Sequence, residues 1–231
     1  MSASDARVKR VHAATRVFFE RLCPGEGDVY ARRLRSRFVA PAFAFESKPH
    51  MTEELGLSHA NALLLSLIPG IARYVRLEQF GKRPHLGSLA VASDYLKALF
   101  LGHTVEHFYM LALDASGRLN ACALLQKGTT DSAPFYIRHI LSEALRTRAH
   151  ALIISHNHPN NTLKPSGSDV DCTLKLISAL APMGVPLIDH IVIADSQAIS
   201  LRETGMVMED LWRAQAPREP LLIHWLNGSQ C

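Results

Sequence analysis

The chain has 231 residues, of which 48% are hydrophobic and 20% charged, with a formal net charge of +4. That apolar share excludes an intrinsically disordered chain, and the length suits one sizeable domain or two small ones. Residues 1–97 hold 15 Lys/Arg against 9 Asp/Glu, whereas residues 98–231 hold 10 against 12. A basic front and a mildly acidic back point to two units, with any anionic partner meeting the front.

Four cysteines, Cys23, Cys122, Cys172 and Cys231, lie far apart with no CxxC spacing. This argues against a disulfide framework or a thiolate zinc site and favours reduced thiols. The N-terminus is amphipathic and has no uninterrupted apolar core of the kind a signal peptide needs. The most apolar run, "ALLLSLIPGIA", is too short to span a bilayer and contains a proline. The expectation is a soluble, cytoplasmic protein.

In chain order, residues 1–84 read as helical. "DARVKRVHAATRVFFERL" and "DVYARRLRSRF" carry apolar residues at helical spacing, and "LSHANALLLSLIPGIARYVRLEQF" reads as two helices joined at Pro69-Gly70. "GKRPHLGS", residues 81–88, has two glycines and a proline and is the expected linker. A short helix, "DYLKALF", follows it. "VEHFYMLALD" and "LNACALLQKG" then flank the turn "DASGR" and predict a hairpin. "DSAPFYIRHILSEALRTRA" predicts a helix capped by Ser132, with Pro134 near its start and a stripe of Ile137, Ile140, Leu141, Ala144 and Leu145.

The apolar strand "ALIIS" ends directly at His156. Strand, helix and strand in that order form a crossover unit, so the second domain is expected to be α/β with a largely covered sheet. Another helix, "DVDCTLKLISALAPMG", closes at Gly184 and leads into the buried strand "PLIDHIVIAD". Residues 207–231 have no evident place in that core and read as a C-terminal tail.

The stretch "SHNHPNNTLKPSGSD", residues 155–169, concentrates the chemistry. On an extended segment, His156 and His158 at i and i+2 point to one side. Two imidazoles and a carboxylate suffice for a catalytic zinc with water in the fourth position, and Asp169 is the nearest carboxylate that could swing back. A general base would assist by taking the water's proton, and Ser166 could donate to the oxyanion formed on the attacked carbonyl. The same Ser166-Gly167-Ser168-Asp169 run is also a capping box at a helix start. Residue types alone leave both readings open. Asp189-His190, inside an apolar strand, reads either as support behind a ligand or as a satisfied core pair. Cys172 reads as a small packed residue.

His156-Asn157-His158-Pro159, Ser166 and Asp169 reproduce the pattern H-x-H-P-x6-S-x2-D. That resembles the JAMM motif of the MPN-type metalloproteases. Within that group, "LIISHNHP…PSGSD", "GTTDSAPFYIRHILSEAL" and "PLIDHIVIADSQAISLRETG" resemble the bacterial RadC family over roughly residues 85–206. The resemblance implies a three-layer, cytidine-deaminase-like MPN/JAB fold preceded by a small all-helical domain. It implies His156, His158 and Asp169 as ligands of a Zn2+ ion, Glu106 in "TVEHFYMLALD" as general acid/base, and Ser166 as the oxyanion donor. It also implies a peptide or protein substrate. The loop "NNTLK" departs from the family's Ser-Gly-Asp-Pro-like segment, keeping its length and losing the glycine.

In that family the front helices resemble helix-hairpin-helix modules that hold DNA phosphates with glycine-turn amides. Here "IPGIARYV" is the candidate hairpin, with Gly70 as its first glycine and Ala72 where a second is expected. Two classes of function therefore compete. One is a zinc-dependent hydrolase of amide or isopeptide bonds. The other is a nucleic-acid-associated, DNA-repair-related protein whose metal site cuts phosphodiesters or is vestigial. A single bound metal favours the first, because nucleases more often pair two.

Overall fold

A computed structural model describes residues 3–38, 41–128, 133–160, 162–194, 197–215 and 225. The chain divides into two compact units, residues 1–72 and 73–231. The first is helical: α1 (Ala3–Leu22), α2 (Gly27–Arg37), α3 (Pro41–Glu46), α4 (Pro49–Glu53) and the first part of α5 (His59–Glu78). Its core gathers Phe19, Tyr30, Leu34, Phe38, Leu55, Leu57, Ala62 and Leu65.

Two expectations for this region are corrected. Pro69 and Gly70 lie inside α5, which runs without a break where two helices were expected. The hairpin turn read in "IPGIARYV" is therefore not formed, and its amides are helical rather than turned out towards a phosphate. The division between units falls at Ala72–Arg73, not in residues 81–88. That segment is packed: Leu86 is fully buried, its amide donates to Gly117 O, and the Leu119 amide donates to Pro84 O. Apolar contacts from Leu77 and Phe80 likewise bind the end of α5 to the second unit.

The second unit is built on five strands: β1 (His107–Leu113), β2 (Leu119–Lys127), β3 (Ala151–Asn157), β4 (Leu187–Ala194) and β5 (Gln197–Ser200). Their spatial order is β2-β1-β3-β4-β5. β1 and β2 form the expected hairpin. Its turn is held by Asp114 Oδ1, which accepts from the Ser116 and Arg118 amides, and by Gly117 at φ 78°. β3 pairs antiparallel to β1 and parallel to β4. Parallel neighbours require a crossover, supplied here by α8 (Gly167–Leu180) and a 3-10 turn that ends at left-handed Gly184.

Alternation along the strands sorts the layers. Leu111, Leu113, Ile153, Ile191 and Ile193 face α6 (Leu89–Leu99), whose Ala92, Tyr95, Leu96 and Leu99 cover that side. Met110, Ala112, Leu152 and Ile154 face α7 (Ala133–Arg146) and α8 on the other side. The result is the expected α/β sandwich of three layers. Ser132, the expected cap of α7, lies outside the described residues, as do 216–224 and 226–231 of the tail. No helix among the described residues is long and apolar enough to cross a membrane.

The expectation that residues from 207 onward lack a place in the core is corrected. α9 (Glu209–Ala214) inserts Trp212, fully buried, beside Val207 and Leu180. Gln215 clasps β4 by exchanging bonds with Leu187, its Oε1 accepting from the amide and its Nε2 donating to the carbonyl. Trp225 is buried among the residues of the opposite layer. A short amphipathic segment without helical length conceals such a contribution, because one tryptophan does the anchoring.

Two expected outcomes follow from this packing. Trp212→Ala should destabilise the fold by about 3–5 kcal/mol, the usual cost of deleting a buried large aromatic, as read by denaturant unfolding. The second concerns Asp189, fully buried on β4. Burial pushes its carboxyl up to about 7, against the Ser200 hydroxyl, the Arg202 and His190 amides and the Arg202 charge. The native state thus keeps a proton that the unfolded chain releases near 3.8. Stability from this group is present in acid, declines as pH rises from about 4 to about 7, and is flat above. Asp189→Asn should remove that slope from a series of unfolding curves.

Candidate metal centre

β3 is buried on both faces, so any polar side chain it carries must find partners inside the protein. His156 is 1% exposed and points into the α7/α8 layer beneath Phe108, whose ring stacks on it at 5.9 Å and 7°. His158 stands just beyond the strand, anchored by its amide to Ile193 O at 2.8 Å. The extended spacing brings the two Nε2 atoms to 2.9 Å, as the i, i+2 geometry requires.

Asp169 arrives from α8, whose N-terminus the crossover delivers to the end of β3. Ser166 caps the helix: its Oγ accepts from the Asp169 amide, and its own amide donates to Asp169 Oδ2 at 2.6 Å. The Ser166 hydroxyl also donates to Oδ2 at 2.8 Å. Oδ2 is therefore held by the cap, while Oδ1 lies 3.3 Å from His156 Nε2. His158 Nε2 is 3.8 Å from Oδ2. The capping box and the carboxylate cluster are one structure, so the two readings of this stretch coexist.

The donor set fits a zinc-sized ion. Atoms bound at about 2.0–2.1 Å on tetrahedral corners lie about 3.3 Å apart; the two Nε2 atoms are 2.9 Å apart and Asp169 Oδ1 is 3.3 Å from His156 Nε2. His158 Nδ1 donates to Thr162 O at 2.6 Å, leaving the Nε2 lone pair to face the cluster. Burial holds His156 below the usual histidine range, opposed by Asp169 and reinforced by His158, so its ring is neutral and able to ligate. Two facing imidazole nitrogens beside a carboxylate oxygen form a site that a cation would satisfy. Among the described residues this is the sole such cluster of three. Cys172 stays outside it, packed against the α7/α8 layer, with burial pushing its thiol up to about 11.

Glu106 immediately precedes β1. It lines a cleft of about 610 Å³ together with Val105, Gly128, His158, Lys164 and Ser166. Burial raises its carboxyl above the ordinary range; His158 opposes that shift and the Asp169 charge adds to it.

Three supporting residues were not singled out in the sequence, or were read only as alternatives. Asn157, between the two histidines, points the opposite way and clamps the start of β1. Its Oδ1 accepts from the His107 amide at 2.8 Å and its Nδ2 donates to Val105 O at 3.0 Å, bracketing Glu106. His190 Nε2 meets His156 Nδ1 at 2.8 Å, so this residue backs a member of the cluster. Thr173 contacts His190 Nδ1, also at 2.8 Å. Its only sequence signal is its position four residues after Asp169, on the same helical face.

The family model described as "RadC-like JAB domain" matches residues 86–206. A UPF0758 protein of Ectopseudomonas mendocina is 35% identical over 176 residues, covering 76% of this chain and 79% of that protein. Another, from Azotobacter vinelandii, is 36% identical over 172 residues and 74% of each chain. A third, from Bordetella pertussis, is 38% identical over 151 residues, covering 65% of this chain and 67% of its own length. The match spans the strands, the crossover helix and the His-His-Asp cluster together, and on that ground the chain belongs to the RadC family.

Proposed function

We propose that this protein is a zinc-dependent hydrolase that cleaves an amide or isopeptide bond in a peptide or protein. The observation that carries the reading is a His-His-Asp cluster whose member His158 lines the same cleft as a partly desolvated carboxyl, Glu106. A carboxyl raised by burial is suited to taking and returning a proton.

A zinc ion held by His156, His158 and Asp169 would supply an activated water and polarise the scissile carbonyl. The chain's own residues have separable tasks. Glu106 takes a proton from the attacking water as the carbon–oxygen bond forms. It then delivers that proton to the leaving nitrogen as the carbon–nitrogen bond breaks, giving a carboxylic acid and an amine. Ser166 donates its hydroxyl to the carbonyl oxygen, where negative charge develops, after turning it away from Asp169 Oδ2. Asn157 keeps Glu106 in register with the histidines by bonding on both sides of it. Phosphodiesterases more often pair two metals, and the described residues offer one ligand cluster.

The ligands and the proton carrier are separated by substitution. His158→Ala should lower zinc content by orders of magnitude, measured by elemental analysis. Glu106→Gln should keep fold and zinc and lose about a hundredfold or more in rate on any substrate the wild type cleaves. A fully active Glu106→Gln protein would sink the mechanism even with the ligands confirmed.

Ser166→Ala should retain zinc and lose about two to three orders of magnitude in rate. Loss of the cap should also cost about 1 kcal/mol of stability. A melting curve recorded beside the kinetics separates the two effects, because a purely structural serine would move the melting curve and leave the rate of the folded protein unchanged.

A further inference from the structure

We infer that Thr173 and His190 are positioning residues that hold His156 in the tautomer with its proton on Nδ1, which leaves Nε2 free to bind the metal. The inference rests on the metal-site reading above. A contact between two imidazoles does not by itself say which ring donates. Here the ambiguity is resolved two residues away, by a hydroxyl with a single proton.

Thr173 Oγ1 lies 2.7 Å from Asp169 O and 2.8 Å from His190 Nδ1. A carbonyl oxygen can only accept, so the hydroxyl proton goes to Asp169 O. The Thr173 oxygen then accepts, and His190 must carry its proton on Nδ1. His190 Nε2 is left with a lone pair, which accepts the His156 Nδ1 proton across 2.8 Å. Each bond dictates the next, ending with the His156 Nε2 lone pair aimed at His158 and Asp169 Oδ1.

The reversed chain is the alternative. Thr173 would donate to His190, His190 to His156, and His156 Nε2 would present an N–H to the cluster. That arrangement gains a bond to His158 Nε2 at 2.9 Å in the metal-free chain. It also leaves Thr173 Oγ1 facing Asp169 O at 2.7 Å with no proton between them. It cannot coexist with a cation bound at Nε2. Thr173, His190 and His156 are all at most 1% exposed, so an oxygen pair left unbonded there is costly. Phe108 stacks on His156 and meets His190 edge-on at 5.8 Å, which keeps both rings from turning.

One hydroxyl thus joins two members of the cluster, Asp169 through its carbonyl and His156 through a relay of one ring. This assigns the histidine of the Asp189-His190 pair to support of the site, while Asp189 stays with Arg202 and the backbone. Outer partners of this kind are worth about 10–100-fold in metal affinity.

The test uses the full-length chain and zinc in competition with a chromophoric chelator. Thr173→Val, which keeps the shape and removes the hydroxyl, should weaken zinc binding by about 10–100-fold, and Thr173→Ser should restore it. His190→Gln, whose amide oxygen can take the His156 proton, should retain more affinity than His190→Leu. Melting curves of the metal-free variants provide the folding control, and the glutamine–leucine comparison decides the matter if the valine variant does not fold. Nitrogen-15 spectra of the imidazoles give a readout independent of activity: in the zinc-loaded wild type both rings should be protonated on Nδ1. Equal zinc affinity of Thr173→Val and wild type, or an Nε2 proton on either ring, overturns the inference. If the wild type takes up no zinc, the metal reading fails separately. The metal-free spectrum then still decides the chain: His190 protonated on Nδ1 supports it, and on Nε2 overturns it.

Discussion

The site depends on the parallel pairing of β3 with β4, because a parallel neighbour can be reached only by a crossover. α8 is that crossover, and its N-terminus must begin near the point where β3 ends. Two histidines carried by the end of β3 thereby meet an aspartate in the first turn of α8 without any long loop reaching across. The helix start also has unsatisfied amides that favour a carboxylate, so Asp169 is stabilised where the cluster needs it. Topology places the groups, and capping orients the last of them.

Burial sets a second condition. β3 is covered on both faces, which leaves His156 no solvent partner and forces its ring into an internal polar path. The neighbouring positions answer that demand from different elements: Phe108 from β1, His190 from β4 and Thr173 from α8. A ligand on a surface loop would need none of them. The same enclosure that makes the histidine costly also makes its orientation definite, since a fully bonded buried group has few ways to rearrange.

Much of this was legible in the residues, for identifiable reasons. Strands covered on both faces read as unbroken apolar runs, so β3 and β4 stood out, and the Asp-Ala-Ser-Gly turn announced the hairpin. His156 and His158 were visible because period-two geometry is local. What the sequence did not disclose depended on contacts distant along the chain. Thr173 looks like any helical threonine until β4 is laid beside β3. Asn157 carries no local signal of its role, which appears only when β1 is laid alongside β3. α9 was obscured because six residues make a weak periodic signal, though Trp212 is fully buried. The break expected at Pro69-Gly70 did not occur: proline and glycine are poor in a helix interior, but packing of Ala62 and Leu65 on one side and Leu77 on the other carries α5 through.

The clamp made by Asn157 has a consequence for how the cleft tolerates motion. The backbone at Glu106 is tied to the segment that bears the histidines by the Asn157 amide, which grips both sides of the glutamate, and by the ladder pairing of Phe108 with His156. Slow breathing of the hairpin would therefore carry the glutamate and the histidines along as one block. In mechanical terms the site resembles a caliper with a locked jaw. Lys164, which also lines the cleft, lies outside that clamp.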